Sequence, residues 1–270
     1  VKVLEECMAL RFCPLFSGSD GNCCFLEIDD KRYLIDAGFS GKKIENNLKN
    51  LGVDPSSIDL IFLTHEHIDH IRGAGVLSRR FNIKICANIE TFTAGKEKLG
   101  KLKDENIVLL ETNKRHKFSK FDLETLELSH DCKRGLGFVF DTDYGKVSAI
   151  TDTGIVTDRM IEKMFDSKIF YFEANHDVDM LIKGPYEYSL KMRILSDVGH
   201  ISNKVSAKTL SKVVTDKCKK IYLGHLSQTN NKKEIAYDEV SNALEFERVL
   251  KYANLEVANR FENSSLTEIE

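Results

Sequence analysis

Apolar positions along the 270 residues fall in short runs divided by turn-forming residues. Ala9–Cys13, Cys23–Ile28 and Arg32–Ile35 are such runs, broken by Gly-rich or Asp-rich turns, and they read as strands. Ile44, Leu48 and Leu51 then share one face at helical spacing, with Gly52 as the stop. Ile58–Leu63 is nearly continuous in apolar residues, as in a strand buried on both faces. Phe121–Ser129 predicts another strand. Leu136–Asp141 and Lys146–Ile150 flank Thr142-Asp143-Tyr144-Gly145, a hairpin turn. Ile169–Phe172 and Ile221–Leu223 predict later buried strands, and Asp158–Phe165, Lys204–Val214 and Lys233–Tyr252 predict helices. Strands and helices intermix in both halves, so the class is α/β or α+β. No Pro-, Gly- or Ser-rich linker divides the chain, and a single domain over residues 8–270 is expected. Met8 reads as a natural start, with residues 1–7 an extension or upstream remnant.

Composition narrows the class. Hydrophobic residues make up 42 % and charged residues 30 %, with a net charge of -3, which fits a folded globular protein and argues against disorder. That balance excludes nucleic-acid binding through bulk charge, though not through a local basic groove. The seven cysteines are scattered, odd in number and without a CxxC pair, so neither a disulfide scaffold nor a structural zinc knuckle is expected. They read as reduced thiols of a cytoplasmic protein. No apolar stretch approaches the ~18 residues of a membrane span.

The segment Thr64-His65-Glu66-His67-Ile68-Asp69-His70 begins where the apolar run Ile58–Leu63 ends, and Gly73 and Gly75 follow it. It is therefore a loop at a strand's C-terminal edge. It is not the helical HExxH of a zinc protease, because Asp69 stands where the second His belongs. In an extended stretch, side chains two apart point the same way, so His65 and His67 can converge on one ion. Asp69 and His70, after the chain turns, can face a second. Nitrogen and oxygen donors of this kind suit zinc, manganese or iron. A surface histidine cluster or a tag is the weaker reading, since tags are terminal and homopolymeric.

Other donors share this placement. His130 ends Phe121–Ser129, Asp152 follows Lys146–Ile150, and His225 follows Ile221–Leu223. Singly, each has a fair reading as a turn or cap residue. Taken with residues 65–70, the repeated strand-end position favours ligation on one rim of a sandwich.

His65-x-His67-x-Asp69-His70, followed by His130, Asp152 and His225, resembles the signature of the metallo-β-lactamase fold over about residues 10–230. Asp36, in Leu34-Ile35-Asp36-Ala37-Gly38, resembles that family's first motif, a carboxylate that supports the metal-site loop. The resemblance implies an αββα four-layer sandwich. It also implies two divalent ions, with His65, His67 and His130 on one, Asp69, His70 and His225 on the other, and Asp152 bridging. Ser17-Gly18-Ser19-Asp20-Gly21-Asn22, Glu173-Ala174-Asn175-His176-Asp177, Gly184-Pro185-Tyr186, Gly199-His200-Ile201-Ser202-Asn203 and His225-Leu226-Ser227 are similar to segments of the YycJ (WalJ) nuclease branch. Asp20 stands where that branch commonly has Ser, and Thr229 replaces an acid.

The implied activity is a metal-dependent phosphodiesterase or nuclease, acting on DNA rather than RNA as a possible exonuclease. A water activated between two ions about 3.5–4 Å apart would attack the phosphodiester. Zinc or manganese is expected, with iron as a further choice. Asp69, His176 and His200 are the candidate catalytic residues, the two histidines for leaving-group protonation or phosphate contact. Ser17, Ser19, Asn22, Arg193, Ser202 and Asn203 are candidate phosphate contacts; Ser202 and Asn203 read equally as helix caps. Phe16, Phe39, Tyr186 and Tyr188 are base-stacking candidates, against an ordinary packing role. Lys204, Lys208 and Lys212 form a basic helix stripe that reads first as a solvated face, and His116 reads as an exposed loop residue. No membrane partner is expected, and protein partners are not indicated. Two other readings stand beside the nuclease: a hydrolase of a small cyclic phosphodiester, lactone or thioester, and a non-catalytic metal-binding protein. Two divalent ions would add about +4 locally, which reconciles an acidic chain with a nucleic-acid substrate.

Overall fold

Alternate residues of the run Ile169–Phe172 belong to different cores. Ile169 and Tyr171 pack with Phe12, Leu26, Phe62 and Phe140, whereas Phe170 and Phe172 pack with Met160, Leu210 and Val240. Leu34 likewise faces Ile44, Leu48 and Leu77, while Tyr33 and Ile35 face the first of these cores. Each sheet is thus buried on both faces, one against the other sheet and one against helices.

The computed structural model describes residues 9–270, so the expected start at Met8 and residues 1–7 lie outside the described residues. The elements are β1 (Leu10–Phe16), β2 (Cys23–Ile28), β3 (Lys31–Ile35), α1 (Gly41–Asn50), β4 (Leu60–Phe62), α2 (Ile68–Ile71), α3 (Ala74–Phe81), β5 (Lys84–Ala87), α4 (Ile89–Leu99), β6 (Ile107–Leu109) and β7 (Arg115–Lys117). They continue as β8 (Phe121–Leu128), β9 (Gly135–Thr142), β10 (Gly145–Ile150), α5 (Asp158–Met164), β11 (Ile169–Glu173), α6 (Val178–Lys183), α7 (Tyr188–Ile194), α8 (Asn203–Val213), β12 (Lys220–Gly224), α9 (Lys233–Phe246), β13 (Asn254–Val257) and β14 (Thr267–Ile269). One seven-stranded sheet runs β14-β1-β2-β3-β4-β5-β6 and the other β13-β12-β11-β10-β9-β8-β7. With helices outside both, this is the αββα sandwich.

Each sheet is antiparallel on one side and parallel on the other. Strands β3 to β6 are parallel, as are β10 to β13. Parallel strands end on one edge, and that edge is where such sheets bind ligands. Phe62, on β4, joins the layers, with its ring against those of Tyr33, Phe118, Phe121, Phe138 and Phe140.

Several expected boundaries shift. Helix α9 ends at Phe246 rather than Tyr252, because Arg248 adopts a left-handed conformation (φ 59°) and the chain then enters β13. The segment after β4 is not an open loop throughout: residues 68–71 form a single helical turn, closed by Ile71 N–H donating to His67 O. Helix α1 ends as expected, with Gly52 left-handed at φ 73°. No helix of the described residues is long and apolar enough to cross a membrane.

Candidate metal centre

Asp36, at the end of β3, sets the entry to the histidine loop. Its carboxylate accepts from the Thr64 backbone N–H (2.8 Å), from Thr64 Oγ1 and from His70 Nδ1 (2.7 Å). The loop is then drawn against the Asp36-Ala37-Gly38 turn, with Ala37 N–H donating to His70 O at 2.7 Å. A Cβ on Gly38 would lie 1.7 Å from Asp69 O, so this approach needs glycine. Asp36, Asp152 and His225 are all left-handed, with φ of 60°, 61° and 56°. Non-glycine residues rarely adopt this conformation, and it gathers at functional sites.

The loop and the strand ends bring together most of the expected donors. Donor atoms of His65, His67 and His130 lie within 4.8 Å of one another, and so do those of Asp69, His70 and His225. Asp152 stands between the two groups. Its Oδ2 is 3.3 Å from His70 Nε2, and its Oδ1 is 3.3 Å from His225 Nε2 and 3.9 Å from His130 Nε2.

The outward ring nitrogens are already engaged. Nδ1 of His65 meets Thr64 Oγ1, that of His70 meets Asp36, that of His130 meets Gly199 O, and that of His225 meets Glu173 Oε1. These contacts aim Nε2 inward, the usual way a protein orients metal-binding imidazoles. His65 Nε2, His225 Nε2 and Asp152 Oδ2 are buried without any hydrogen-bond partner. Buried polar atoms seldom go unpaired, and one in each donor group, with Asp152 between them, fits bound cations. The donor set therefore fits two divalent ions.

Burial and neighbouring charge divide the histidines. Burial, reinforced by His70, His130 and His67, pushes His65 well below its ordinary range, so its ring is neutral. Burial acts on His225 in the same sense, but Asp152, Asp69 and Glu173 outweigh it and raise the ring to about 10. At His70, burial disfavours a proton, and Asp36, Asp152 and Asp69 more than offset this. Asn22 Nδ2, however, is oriented by its bond to Gly18 O and lies 3.1 Å from His70 Nε2, where it needs a lone pair. That hydrogen bond is the stricter condition, and we read His70 with its proton on Nδ1. Burial would raise Asp152, but the charged His225 ring beside it overturns this and holds it below the usual carboxylate range.

His200 also joins the centre. Its ring centroid is 5.0 Å from that of His130 and 5.1 Å from that of His225, and its Nδ1 lies 2.7 Å from Glu173 Oε1. Glu173, fully buried, takes both His200 and His225 on one oxygen, while its Oε2 accepts from Thr153 N–H. Sequence reasoning gave Glu173 no role. A signal was present, since it follows an apolar run at a strand end, as Asp152 and His225 do.

The other expected residues are placed in different ways. His176 is not brought to the cluster: it is buried, its Nδ1 meets Asn175 Oδ1, and burial holds it down to about 4. Ser17 is buried between Tyr171 Oη and the His225 N–H, so its hydroxyl is already committed. Asn22 closes its own loop by accepting from Gly18 N–H. Ser202 caps α8 by accepting from Val205 N–H, and Asn203 pairs with Asn231. Each of these four has a structural hydrogen bond. Ser19 and Arg193 do line a cleft beside His130 and His200. Arg193 sits on α7, paired with the carboxylate of Asp131. Phe16 and Phe39 pack on each other inside the protein, whereas Tyr186 lines the cleft and Tyr188 is exposed. Lys204, Lys208 and Lys212 are exposed on α8, and His116 lies on β7 away from the cluster.

Residues 17–225 match the Metallo-beta-lactamase superfamily. The chain belongs to that superfamily. Among superfamily members, it is 40 % identical over 238 residues to "Exodeoxyribonuclease YycJ" of Bacillus anthracis, covering 88 % of this chain and 90 % of that protein. It is also 40 % identical over 239 residues to "Exodeoxyribonuclease WalJ" of Streptococcus pneumoniae strain D39, covering 88 % and 89 %. The fold matches the crystal structure of the metallo-beta-lactamase fold protein YhfI from Bacillus subtilis, with a TM-score of 0.69 at 14 % identity, over 96 % of this chain and 99 % of that one.

Proposed function

We propose that this metallo-beta-lactamase superfamily member is a metal-dependent nuclease that trims DNA from a strand end. The observation that carries the reading is the double donor cluster, whose His130 also lines a cleft bordered by Arg193. The exodeoxyribonuclease names of relatives at 40 % identity support the choice of DNA.

His65, His67 and His130 would hold one divalent ion, Asp69, His70 and His225 the other, and Asp152 would lie between them. Zinc and manganese both suit these donors, as does iron. Such ions supply Lewis acidity towards the phosphoryl oxygens and make a water nucleophilic at neutral pH.

The chain's own groups do the rest. Glu173 holds the His200 proton at Nδ1, which leaves Nε2 as the atom that exchanges a proton with the leaving oxygen. Asp36 and Thr64 keep His70 and His65 in one orientation through the reaction. Arg193, exposed, gives a phosphate a positive partner once it leaves Asp131. The described cysteines, unpaired and five of the six buried, accord with a reducing cytoplasm.

Purified protein loaded with Mn²⁺ or Zn²⁺ is offered end-labelled DNA, the matching RNA, a cyclic dinucleotide, a lactone and a thioester. The reading expects stepwise loss of nucleotides from DNA. Turnover of a small substrate with intact DNA would move the assignment to the small-molecule hydrolases, and no turnover of any substrate would leave a metal-binding protein.

A further inference from the structure

A cleft of about 200 Å³ opens directly beside the histidine cluster. One side carries His130 and His200. The other is built by Tyr186, Leu190, Arg193 and Ile194. Leu190 and Ile194 are four apart on α7 and share one face. Helix α7 buries none of its residues, although it carries Tyr188, Leu190, Met192 and Ile194. An apolar wall that buries nothing beside a polar centre is suited to a flat apolar surface.

The wall is fastened to the reacting groups. His200 N–H donates to Ile194 O at 3.0 Å, and Asp131 N–H donates to Val198 O at 3.1 Å. A Cβ on Gly199 would lie 2.2 Å from Ile194 O, so glycine permits the close join between α7 and His200. Whatever rests on α7 is therefore held in fixed relation to His200.

We infer that this cleft seats the terminal nucleobase of the DNA strand being trimmed, its ring face against Tyr186 and the Leu190–Ile194 surface. Arg193 exchanges Asp131 for the adjoining phosphate. The occupant follows from the wall's chemistry. Tyr186, Leu190 and Ile194 meet the π-face common to all bases, so this stacking contact does not depend on sequence, while Ser19, Asn175 and Ser227 complete the cleft. The volume suits a single ring system. The inference rests on the nuclease reading for its substrate, and the test separates the two.

The chain contains no tryptophan, so Tyr186→Trp creates a single reporter in the cleft, and Leu190→Trp provides a second should the first fail to fold. Each metal-loaded variant is titrated with deoxyadenosine monophosphate and with 2-deoxyribose 5-phosphate, which offers the same phosphate without a base. The seat predicts saturable quenching by the nucleotide and at least tenfold weaker response to the base-free sugar phosphate, with thymidine monophosphate close to the first. In DNA trimming, Tyr186→Ala should raise the half-saturating DNA concentration about tenfold, and Tyr186→Phe should restore it. Equal responses to both ligands, or silence in both folded reporters while the wild type trims DNA, overturn the seat and leave the nuclease reading intact. Base-dependent quenching in a protein that trims no DNA keeps the seat and removes the nuclease reading.

Discussion

Glu173 Oε1 lies 2.7 Å from His200 Nδ1, in the floor of the centre, and the same oxygen takes His225 Nδ1 at 3.1 Å. One carboxylate thus orients a ring that faces the cleft and a ring that belongs to the donor cluster. Glu173→Gln keeps the shape and removes the charge. Outer carboxylates of this kind typically contribute about 10–100-fold to activity or metal affinity. A loss in that range is expected in DNA trimming at saturating Mn²⁺, with an unchanged circular dichroism spectrum. A loss below threefold would show that Glu173 orients neither histidine.

Metal loading should release a proton. His225 is raised to about 10, so at pH 7 the metal-free ring is protonated, and its Nε2 must shed that proton to bind an ion. Affinity should therefore climb with pH, by up to about tenfold per unit below 10. The same shift has a stability consequence. A raised histidine stabilises the metal-free fold below its ordinary pKa, and this contribution fades as pH rises through about 10. Calorimetric titration with Zn²⁺ in buffers of different ionisation enthalpy measures the release at about one proton per chain from this ring. Loading without proton release would contradict the account.

Gly38→Ala places a methyl group where Asp69 O now sits. The loop must retreat, carrying Asp69 and His70 away from His225. Bound metal measured by elemental analysis should fall towards one ion per chain, while the melting temperature shifts by only a few degrees. Full metal content in the variant would mean that the close approach is not needed.

Two donors can be removed with little damage to packing. His67 and Asp69 are only partly buried, unlike His65 and His70. His67→Ala and Asp69→Ala should abolish activity and leave the chain folded, as read by thermal melting. Unfolding of both variants would show that the cluster is chiefly structural.

The histidine loop and its strand-end partners were legible because they follow apolar runs, where period and chemistry agree. Glu173 was harder, since a lone acid after Phe172 looks like an ordinary strand exit until the fold brings His200 and His225 to it. Three-residue strands such as β6 and β14 exist through pairing with distant partners, Ile269 with Leu10 for instance, and carry almost no local signal. The end of α9 depends on a left-handed Arg248, which no propensity marks. For Ser17, Asn22, Ser202 and Asn203 the sequence left turn, cap and phosphate readings side by side, because the same hydroxyls and amides serve all three.

The central claim is that two ions in this cluster enable DNA trimming. The most direct measurement strips the protein with chelator and follows nucleotide release from end-labelled DNA as Mn²⁺ is returned. The account predicts no release from stripped protein and a rate that rises and levels off at two bound ions per chain. Release before metal is returned, or none at any ratio of metal to protein, would contradict it.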